Sequence, residues 1–127
     1  MIPALRHYGV GLIPYGPIGS GLLAGVLRGA AQGHGSSTPL QRRVAELRPQ
    51  LEAYEALCDE LGEAPALVAL AWLLHNPIVT AVISGPRAVV QLRENLKAPS
   101  LNLSNETLTR LDKIWPGPGE APGAYAW

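Results

Sequence analysis

The sequence predicts an α/β protein in which parallel strands alternate with helices. Two short apolar runs, residues 10–13 and 81–83, are each followed by a proline or a glycine and then by a helical pattern. Strands that alternate with helices favour parallel pairing through right-handed crossovers, so we expect the two runs to pair in this way. Each strand should then be buried on both of its faces.

Length and charge restrict the class of protein. The chain has 127 residues, which fits one domain, and its formal net charge is zero. Its basic residues are dispersed, so no surface for a nucleic acid or an anionic membrane is predicted. The longest apolar runs fall well short of the roughly 20 residues of a membrane span, and no leader pattern opens the chain. We therefore expect a soluble, cytoplasmic protein.

Cysteine and histidine positions argue against two kinds of site. Cys58 is the only cysteine, and it lies on the apolar side of a helical pattern. A small core residue is therefore favoured over the alternative of a reactive thiol. The three histidines are scattered, so no metal site is predicted. Neither Ser84 nor Cys58 has a nearby base in the sequence, which argues against nucleophilic catalysis.

The first elements lead to a glycine-rich turn. Residues 1–8 read as the end of a helix that Gly9 terminates, and the strand 10–13 stops at Pro14, which has no N–H to donate. Residues 15–21 then contain three glycines in seven positions. Glycine adopts positive φ and lets the backbone approach a ligand, so this turn can present N–H groups to a phosphate. Its G-x-x-G-x-G spacing differs from G-x-G-x-x-G, which argues against a Rossmann domain.

The middle of the chain predicts a loop. Residues 28–39 are rich in Gly and Ser and show no periodicity, so we expect a flexible loop or lid with His34 exposed to solvent.

Two helices should follow this loop. Apolar residues recur every three or four positions over residues 44–61, which predicts an amphipathic helix that ends at Gly62. Because Pro49 interrupts this pattern, the firm helix should begin near residue 50, after a separate turn. Residues 65–74 are apolar almost all round, so this second helix should be buried on several sides.

Residues 80–95 combine a strand, a Gly85-Pro86 break and a helix with Arg87 at its start. Three apolar residues at helical spacing should face the core: Val89, Leu92 and Leu96. Three polar residues stand at i, i+3 and i+4 on a neighbouring face: Gln91, Glu94 and Asn95. The segment can hold an anionic ligand. Taken alone, an ordinary surface helix with a solvated Arg87 is the favoured alternative.

The chain closes with a helix and a tail. Ser104 can cap a last helix that extends to Trp115, so the predicted domain covers residues 1–115. Residues 116–127 hold too much Pro and Gly for regular structure. The tail is either disordered or docked through Tyr125 and Trp127, and these two alternatives stay open.

Three motifs carry a family resemblance. They are LIPYGPIGSGLLAG at residues 12–25, VALAWLL at residues 68–74, and residues 79–95 with the pattern G-x-R-x-x-x-Q-L-x-E-N. In this order and spacing, the chain resembles the C-terminal part of an aldo-keto reductase over nearly its whole length. The resemblance implies a (β/α)8 TIM barrel to which this chain supplies the last two parallel strands with their helices. Two strands alone cannot close or cover such a sheet.

The resemblance also implies a site for NADP(H). Tyr15 would stack on the nicotinamide ring, the turn after it would line the pyrophosphate, and Arg87 would contact the 2′-phosphate that distinguishes NADPH from NADH. Arginine suits this task because its planar fork pairs with phosphate oxygens through two bonds. The residues that would bind the cofactor are Tyr15, Gly16, Pro17, Ile18, Gly19, Ser20, Gly85, Arg87, Gln91, Glu94 and Asn95.

Three positions depart from the family pattern. Gly16 stands where Ser is usual, which removes one hydroxyl contact to the cofactor. Ala88-Val89 replaces a Ser or Thr followed by Pro, and Ala64 replaces a capping hydroxyl. The loss of such a cap costs about 1 kcal/mol.

The catalytic residues of the family lie on earlier strands, which this chain does not contain. Its histidines and tyrosines match none of the family's Asp, Tyr, Lys and His positions, so no catalytic residue is assigned. The reaction needs a Tyr that donates a proton to the carbonyl oxygen while a hydride arrives from NADPH. The resemblance thus implies a truncated reductase of aldehydes and ketones that is inactive by itself.

Two alternatives stay open. The chain can be a non-catalytic NADPH-binding or interaction fragment that needs the missing N-terminal barrel portion, or self-association, to fold. It can also be a remnant that does not fold stably, because the edges of its two strands are uncovered.

Overall fold

The protein, seen in a computed structural model, is described over residues 1–29 and 38–117. Within these ranges the chain forms six α-helices. They are α1 (Ile2–His7), α2 (Thr38–Glu46), α3 (Arg48–Leu61), α4 (Pro65–Leu74), α5 (Val89–Asn95) and α6 (Asn105–Ile114). Short 3-10 turns lie at Gly19–Gly21, Val26–Arg28 and Ala98–Ser100.

The main core lies between α3, α4 and α6. Its fully buried side chains come from all three helices: Tyr54, Leu57, Cys58, Val68 and Leu111. The Tyr54 hydroxyl donates a hydrogen bond of 2.5 Å to the carbonyl oxygen of Pro65, which joins α3 to the start of α4. Trp115 packs edge-on against Tyr54, with 6.4 Å between the ring centroids. The helical part of the chain thus has a core of its own.

Local signals set the helix bounds. Gly62 ends α3 with φ of 68°, and Gly9 follows α1 with φ of 63°, both in the left-handed region that glycine favours. The Ser104 hydroxyl accepts a hydrogen bond of 3.1 Å from the Thr107 amide and caps α6. Pro65 occupies the first turn of α4, where its missing N–H costs nothing. These predicted helix ends are confirmed.

The region before α3 is more regular than predicted. Pro49 lies in the first turn of α3, so the firm helix begins close to the predicted position. The expected turn before it is a separate helix, α2. The predicted loop 28–39 is also wrong at both ends, because Arg28 belongs to a 3-10 turn and Thr38 begins α2. The prediction for His34 lies outside the described residues, as do those for Tyr125 and Trp127.

The predicted strands are corrected by the structure. Neither residues 10–13 nor residues 81–83 form a strand. An isolated parallel bridge joins Leu12 of the first segment to Val79, two residues before the second segment. The predicted parallel direction is therefore confirmed at this bridge, whereas the predicted extent is wrong. An isolated pair of strands is marginally stable and needs further strands or packing beside it. The described residues place no further strand beside either segment.

The prediction that both segments are buried is also wrong. Val10, Ile13 and Ile83 are 50%, 56% and 53% exposed, while Val82 packs against the buried Leu67 and Leu70 of α4. Successive side chains of an extended segment point to opposite faces. The helix α4 covers the face that carries Val82 and leaves Ile83 on the opposite face exposed. Val10 and Ile13 are three positions apart and point to opposite faces, so residues 10–13 are exposed on both faces.

The predicted core face of α5 is exposed. Val89, Leu92 and Leu96 are 67%, 44% and 67% exposed, although the helix itself forms where the pattern predicts it. Helical periodicity shows that a helix has an apolar side, but burial of that side requires a surface opposite it. In the described part of the chain, α5 lies beside α4 and leaves these three residues in solvent.

No helix among the described residues combines the length and the apolar character needed to cross a membrane.

Candidate functional site

A parallel bridge brings the two predicted cofactor-binding segments to the same end of the fold. The Leu12 amide donates to the Ile78 carbonyl oxygen at 2.8 Å, and the Leu12 carbonyl oxygen accepts from the Thr80 amide at 2.9 Å. Because the two segments run in the same direction, the residues that follow each of them leave at the same edge. The glycine turn (residues 15–21) and the residues after Thr80 therefore emerge side by side.

Gly11 permits this approach. A Cβ atom placed on Gly11 would lie 2.0 Å from the Thr80 hydroxyl oxygen, so the Thr80 side chain would have to move. Glycine at this position therefore leaves room for the Thr80 side chain where the two segments meet.

The glycine turn adopts a run of left-handed conformations. Gly16, Gly19 and Gly21 have φ of 67°, 56° and 96°, and Ser20 between them has φ of 59°. Ser20 is the non-glycine residue with positive φ in the described part of the chain, a conformation that costs an L-residue energy. The Gly19 amide donates to the Gly16 carbonyl oxygen at 2.9 Å and closes the turn.

Two parts of the turn face solvent and one faces the core. Tyr15 is 91% exposed, so both faces of its ring are open to a stacking partner. An added Cβ at Gly16 would meet nothing within 4 Å, so the backbone there borders open space. Ile18 packs against the core of α3, α4 and α6, and Leu22 just after the turn is buried. Apolar contacts hold the turn while its outer edge stays accessible.

The polar side chains of α5 hold the entry of that helix. The Gln91 side-chain oxygen accepts a hydrogen bond of 2.8 Å from the Arg87 amide, and the Asn95 side-chain nitrogen donates to the Ser84 hydroxyl at 2.7 Å. Ala88 at the N-cap makes no side-chain cap bond, as the sequence predicts. Gln91 bonds to the Arg87 amide, which lies just before the N-cap. Two separate hydrogen bonds thus tie α5 to the residues that precede it.

Glu94 takes part in an ion pair that the sequence analysis did not include. Its two carboxylate oxygens accept from the Lys97 ammonium at 2.8 and 2.9 Å. The i, i+3 spacing of the two charges was the signal that could have found Lys97. Ser84, the partner of Asn95, had no comparable local signal because the two residues are 11 positions apart.

The residues present fit a dinucleotide. An exposed aromatic ring at Tyr15, open backbone at Gly16 and Gly85, and the polar side chains of residues 84–95 are the donor and stacking groups that such a ligand uses. The predicted contacts of the individual residues with the cofactor stay predictions.

Metal ligands are not grouped in the described ranges. Within residues 1–29 and 38–117, no cluster of three or more His, Cys, Asp or Glu side chains is placed to hold a metal ion.

Comparison with known proteins identifies the family. The aldo/keto reductase family model matches residues 1–116, and the chain belongs to this family. The family consists of oxidoreductases that generally use NAD(P)H, and its fold is the (β/α)8 barrel.

Three curated relatives show the extent of the match. An uncharacterized oxidoreductase of Bacillus subtilis (strain 168), YrpG, is 46% identical over 129 residues, which cover 100% of this chain and 39% of that protein. Pyridoxine 4-dehydrogenase of Escherichia coli (strain K12) is 34% identical over 114 residues, covering 90% of this chain and 31% of that protein.

The third relative, an NADH-specific methylglyoxal reductase of Escherichia coli (strain K12), is 28% identical over 118 residues, covering 90% of this chain and 36% of that protein. The chain thus spans less than two fifths of the length of these relatives.

Proposed function

We propose that this chain is the C-terminal part of an NADP(H)-dependent aldo/keto reductase that reduces aldehydes or ketones in the cytoplasm. It contributes the last two strand segments of a (β/α)8 barrel and the cofactor-binding residues that follow them. The catalytic groups come from the rest of the barrel.

The parallel bridge at Leu12 is the observation that carries this proposal. It aligns the segments before the glycine turn and before residues 84–95, so both emerge at one edge. Barrel enzymes build their sites from the loops at the carboxyl ends of their strands. One dinucleotide can therefore contact both segments, with its nicotinamide end at Tyr15 and its adenosine end at α5.

Each group of proposed cofactor-binding residues contacts a different part of the dinucleotide. The exposed Tyr15 ring stacks on the nicotinamide, and the glycine turn lines the pyrophosphate with Gly16, Pro17, Ile18, Gly19 and Ser20. Gly85 keeps the backbone approachable at the start of the second segment. Arg87 contacts the 2′-phosphate, and the Gln91 bond to its amide fixes the backbone from which it extends. Glu94 and Asn95 contact the adenosine end.

No group suited to general acid catalysis stands at this site among the described residues. The Tyr54 hydroxyl is buried and donates to the Pro65 carbonyl, and burial raises the pKa of Tyr54 above its usual value. Tyr8 and Tyr15 are exposed to solvent without a lysine beside them in the sequence. In this proposal bound NADPH would supply the hydride, and the proton donor would come from the rest of the barrel.

A second candidate function is supported by the exposed apolar surface. The chain would then be a non-catalytic NADPH-binding fragment that associates with the missing N-terminal barrel portion or with a second copy. Exposed apolar residues on the two segments that meet at the Leu12–Val79 bridge favour an interaction site there, because contiguous apolar patches mark such sites in many proteins. The exposed large apolar residues are Met1, Tyr8, Val10, Ile13, Tyr15, Ile83, Val89, Val90, Leu92 and Leu96.

A complementation experiment separates the two candidates. The chain is mixed with the part of the Bacillus subtilis relative that precedes the matched region, and the consumption of NADPH with a panel of aldehydes is followed. We expect activity in the mixture and none in either polypeptide alone.

A disruptive glycine substitution and a matched neutral one serve as controls. Gly11→Ala should lower the restored activity because its Cβ would displace the Thr80 side chain, whereas Gly117→Ala, where an added Cβ meets nothing within 4 Å, should leave it unchanged. A folded mixture that binds NADPH without turnover would favour the non-catalytic fragment.

A further inference from the structure

A buried carboxylate in α3 binds the end of the glycine-rich stretch. Glu55 is 5% exposed and is the charged residue that is buried in the described part of the chain. One of its oxygens accepts from the Leu27 amide at 3.0 Å, and the other accepts from Nε of Arg28 at 2.9 Å. The two partners lie 28 and 27 positions earlier in the chain.

Arg28 makes two further bonds to the same helix. Its Nη2 atom donates to the backbone carbonyl oxygen of Glu55 at 2.7 Å, and its Nη1 atom donates to the Asp59 carboxylate at 2.7 Å. The planar guanidinium therefore uses three nitrogens on one side of α3. We call three of these residues, Leu27, Arg28 and Glu55, the Glu55 clamp, and Asp59 adds an exposed contact to the same guanidinium.

The clamp explains how α3 tolerates a buried charge. An ionised carboxylate taken out of water is costly unless it is paired and hydrogen-bonded. Both Glu55 oxygens have such partners, and both partners belong to the stretch that follows the glycine turn. The clamp therefore depends on this stretch being held in one conformation.

The stretch is held by the apolar contacts of Ile18 and Leu22 near its start, and the clamp adds a polar anchor at its far end. Its backbone hydrogen bonds otherwise close turns within the stretch, such as Arg28 amide to Gly25 carbonyl at 3.1 Å. Glycine loses more conformational entropy on folding than any other residue. Five glycines of the stretch adopt positive φ: Gly16, Gly19, Gly21, Gly25 and Gly29. Leu12 at one end and the clamp at the other fix the stretch in space.

We propose that Glu55 is a positioning residue that holds the glycine turn in the conformation that receives the pyrophosphate of the dinucleotide. This inference rests on the proposed function, because it assigns the turn to that ligand. Glu55 itself lies in α3 and acts through Leu27 and Arg28.

The test compares Glu55→Gln with Asp59→Asn in the whole chain. Glu55→Gln removes the charge that accepts from Leu27 and Arg28, whereas Asp59→Asn weakens a single exposed contact of the same guanidinium. We expect the dissociation constant for NADPH to rise about tenfold in Glu55→Gln and by less than twofold in Asp59→Asn. Unchanged affinity in a folded Glu55→Gln variant would overturn the proposal.

Hydrogen exchange by mass spectrometry distinguishes positioning from general destabilisation. In Glu55→Gln, we expect faster exchange in peptides from residues 16–29 and unchanged exchange in α4 and α6. Equal acceleration in all of these peptides would overturn the positioning role. If Glu55→Gln does not fold, Arg28→Gln is the second variant, because this side chain is 39% exposed and its removal should give the same local pattern.

The exchange measurement also separates this inference from the proposed function. A wild-type chain that binds no NADPH would contradict the proposed cofactor role. Local acceleration in residues 16–29 would still support the clamp as the anchor of the turn, and its absence would still overturn it.

Discussion

At the scale of single residues, burial determines what Cys58 and Tyr54 can do. Both side chains are fully buried in the core of α3, α4 and α6. Burial raises the pKa of the Cys58 thiol to about 11. The thiol therefore stays protonated and enclosed at neutral pH, which makes it a core residue and not a nucleophile. The position of Cys58 in the helical pattern predicts a core residue, and the structure confirms this prediction.

The raised pKa of Cys58 predicts a loss of stability in alkali. The unfolded thiol titrates near pH 8.5, roughly its usual value, and the folded thiol near 11. The folded state thus retains a proton that the unfolded state releases. The stabilisation is complete below about pH 8.5 and should be lost as pH rises toward 11, by about 1.4 kcal/mol for each pH unit.

Urea unfolding of wild type and Cys58→Ala between these pH values measures this effect. The Cys58→Ala variant should be less stable at neutral pH because of the cavity, and the difference should shrink as the pH rises. A difference that is constant over the whole range would contradict the prediction. Independently, a thiol reagent should label Cys58 only when the chain unfolds.

Contacts between distant residues could not be predicted from the sequence. Arg28 falls in a stretch whose composition indicates a loop, yet it binds Glu55 and Asp59 in α3. Asn95 was assigned to the adenosine end of a ligand, and in this structure its side chain also bonds to Ser84. Neither pairing leaves a periodic or local signal, because each joins residues that only the tertiary fold brings together.

At the scale of helices and segments, local chemistry was a reliable guide. Gly62, Pro65 and Ser104 act on the residues next to them, so the ends of α3, α4 and α6 follow from the sequence. The burial of residues 10–13 and 81–83 was predicted wrongly because it depends on layers outside the segment. An apolar run is compatible with a buried strand, but only its neighbours make it one.

Two capping substitutions should change stability in opposite directions. Ser104→Ala removes the bond to the Thr107 amide and should lower the free energy of unfolding by about 1 kcal/mol. Ala64→Ser places a hydroxyl at an N-cap with extended backbone, φ −65° and ψ 135°, and should raise it by roughly 0.5 to 1 kcal/mol. Both values come from chemical denaturation at neutral pH.

The control for these variants is Ser100→Ala, an exposed serine in a 3-10 turn, which should be neutral. No gain from Ala64→Ser would mean that the α4 amides are already satisfied in another way.

At the scale of the whole molecule, apolar side chains are buried in the helical core and exposed in the two segments outside it. The helices α3, α4 and α6 share a core, whereas the exposed large apolar residues lie before residue 16 or in residues 83–96. These are also the regions that hold most of the predicted cofactor contacts. The family model matches residues 1–116, and the chain spans 39% and 31% of the length of two curated relatives.

The sequence motifs predict the family of the chain correctly. Three motifs in order identified the aldo/keto reductases, and the family match over residues 1–116 confirms this. The structure does not show the barrel, since a closed sheet requires paired strands on every side and the described residues form one isolated bridge.

A titration of the chain with NADPH and with NADH, followed by cofactor fluorescence, tests directly whether this chain binds NADP(H) and selects it through Arg87. We expect tighter binding of NADPH, and we expect Arg87→Ala to weaken NADPH binding by about tenfold or more while NADH binding is little changed. Arg93→Ala, an exposed arginine on the same helix, is the matched control and should preserve the preference. Equal affinity for the two cofactors, or an Arg87→Ala variant that binds NADPH as the wild type does, would contradict the account.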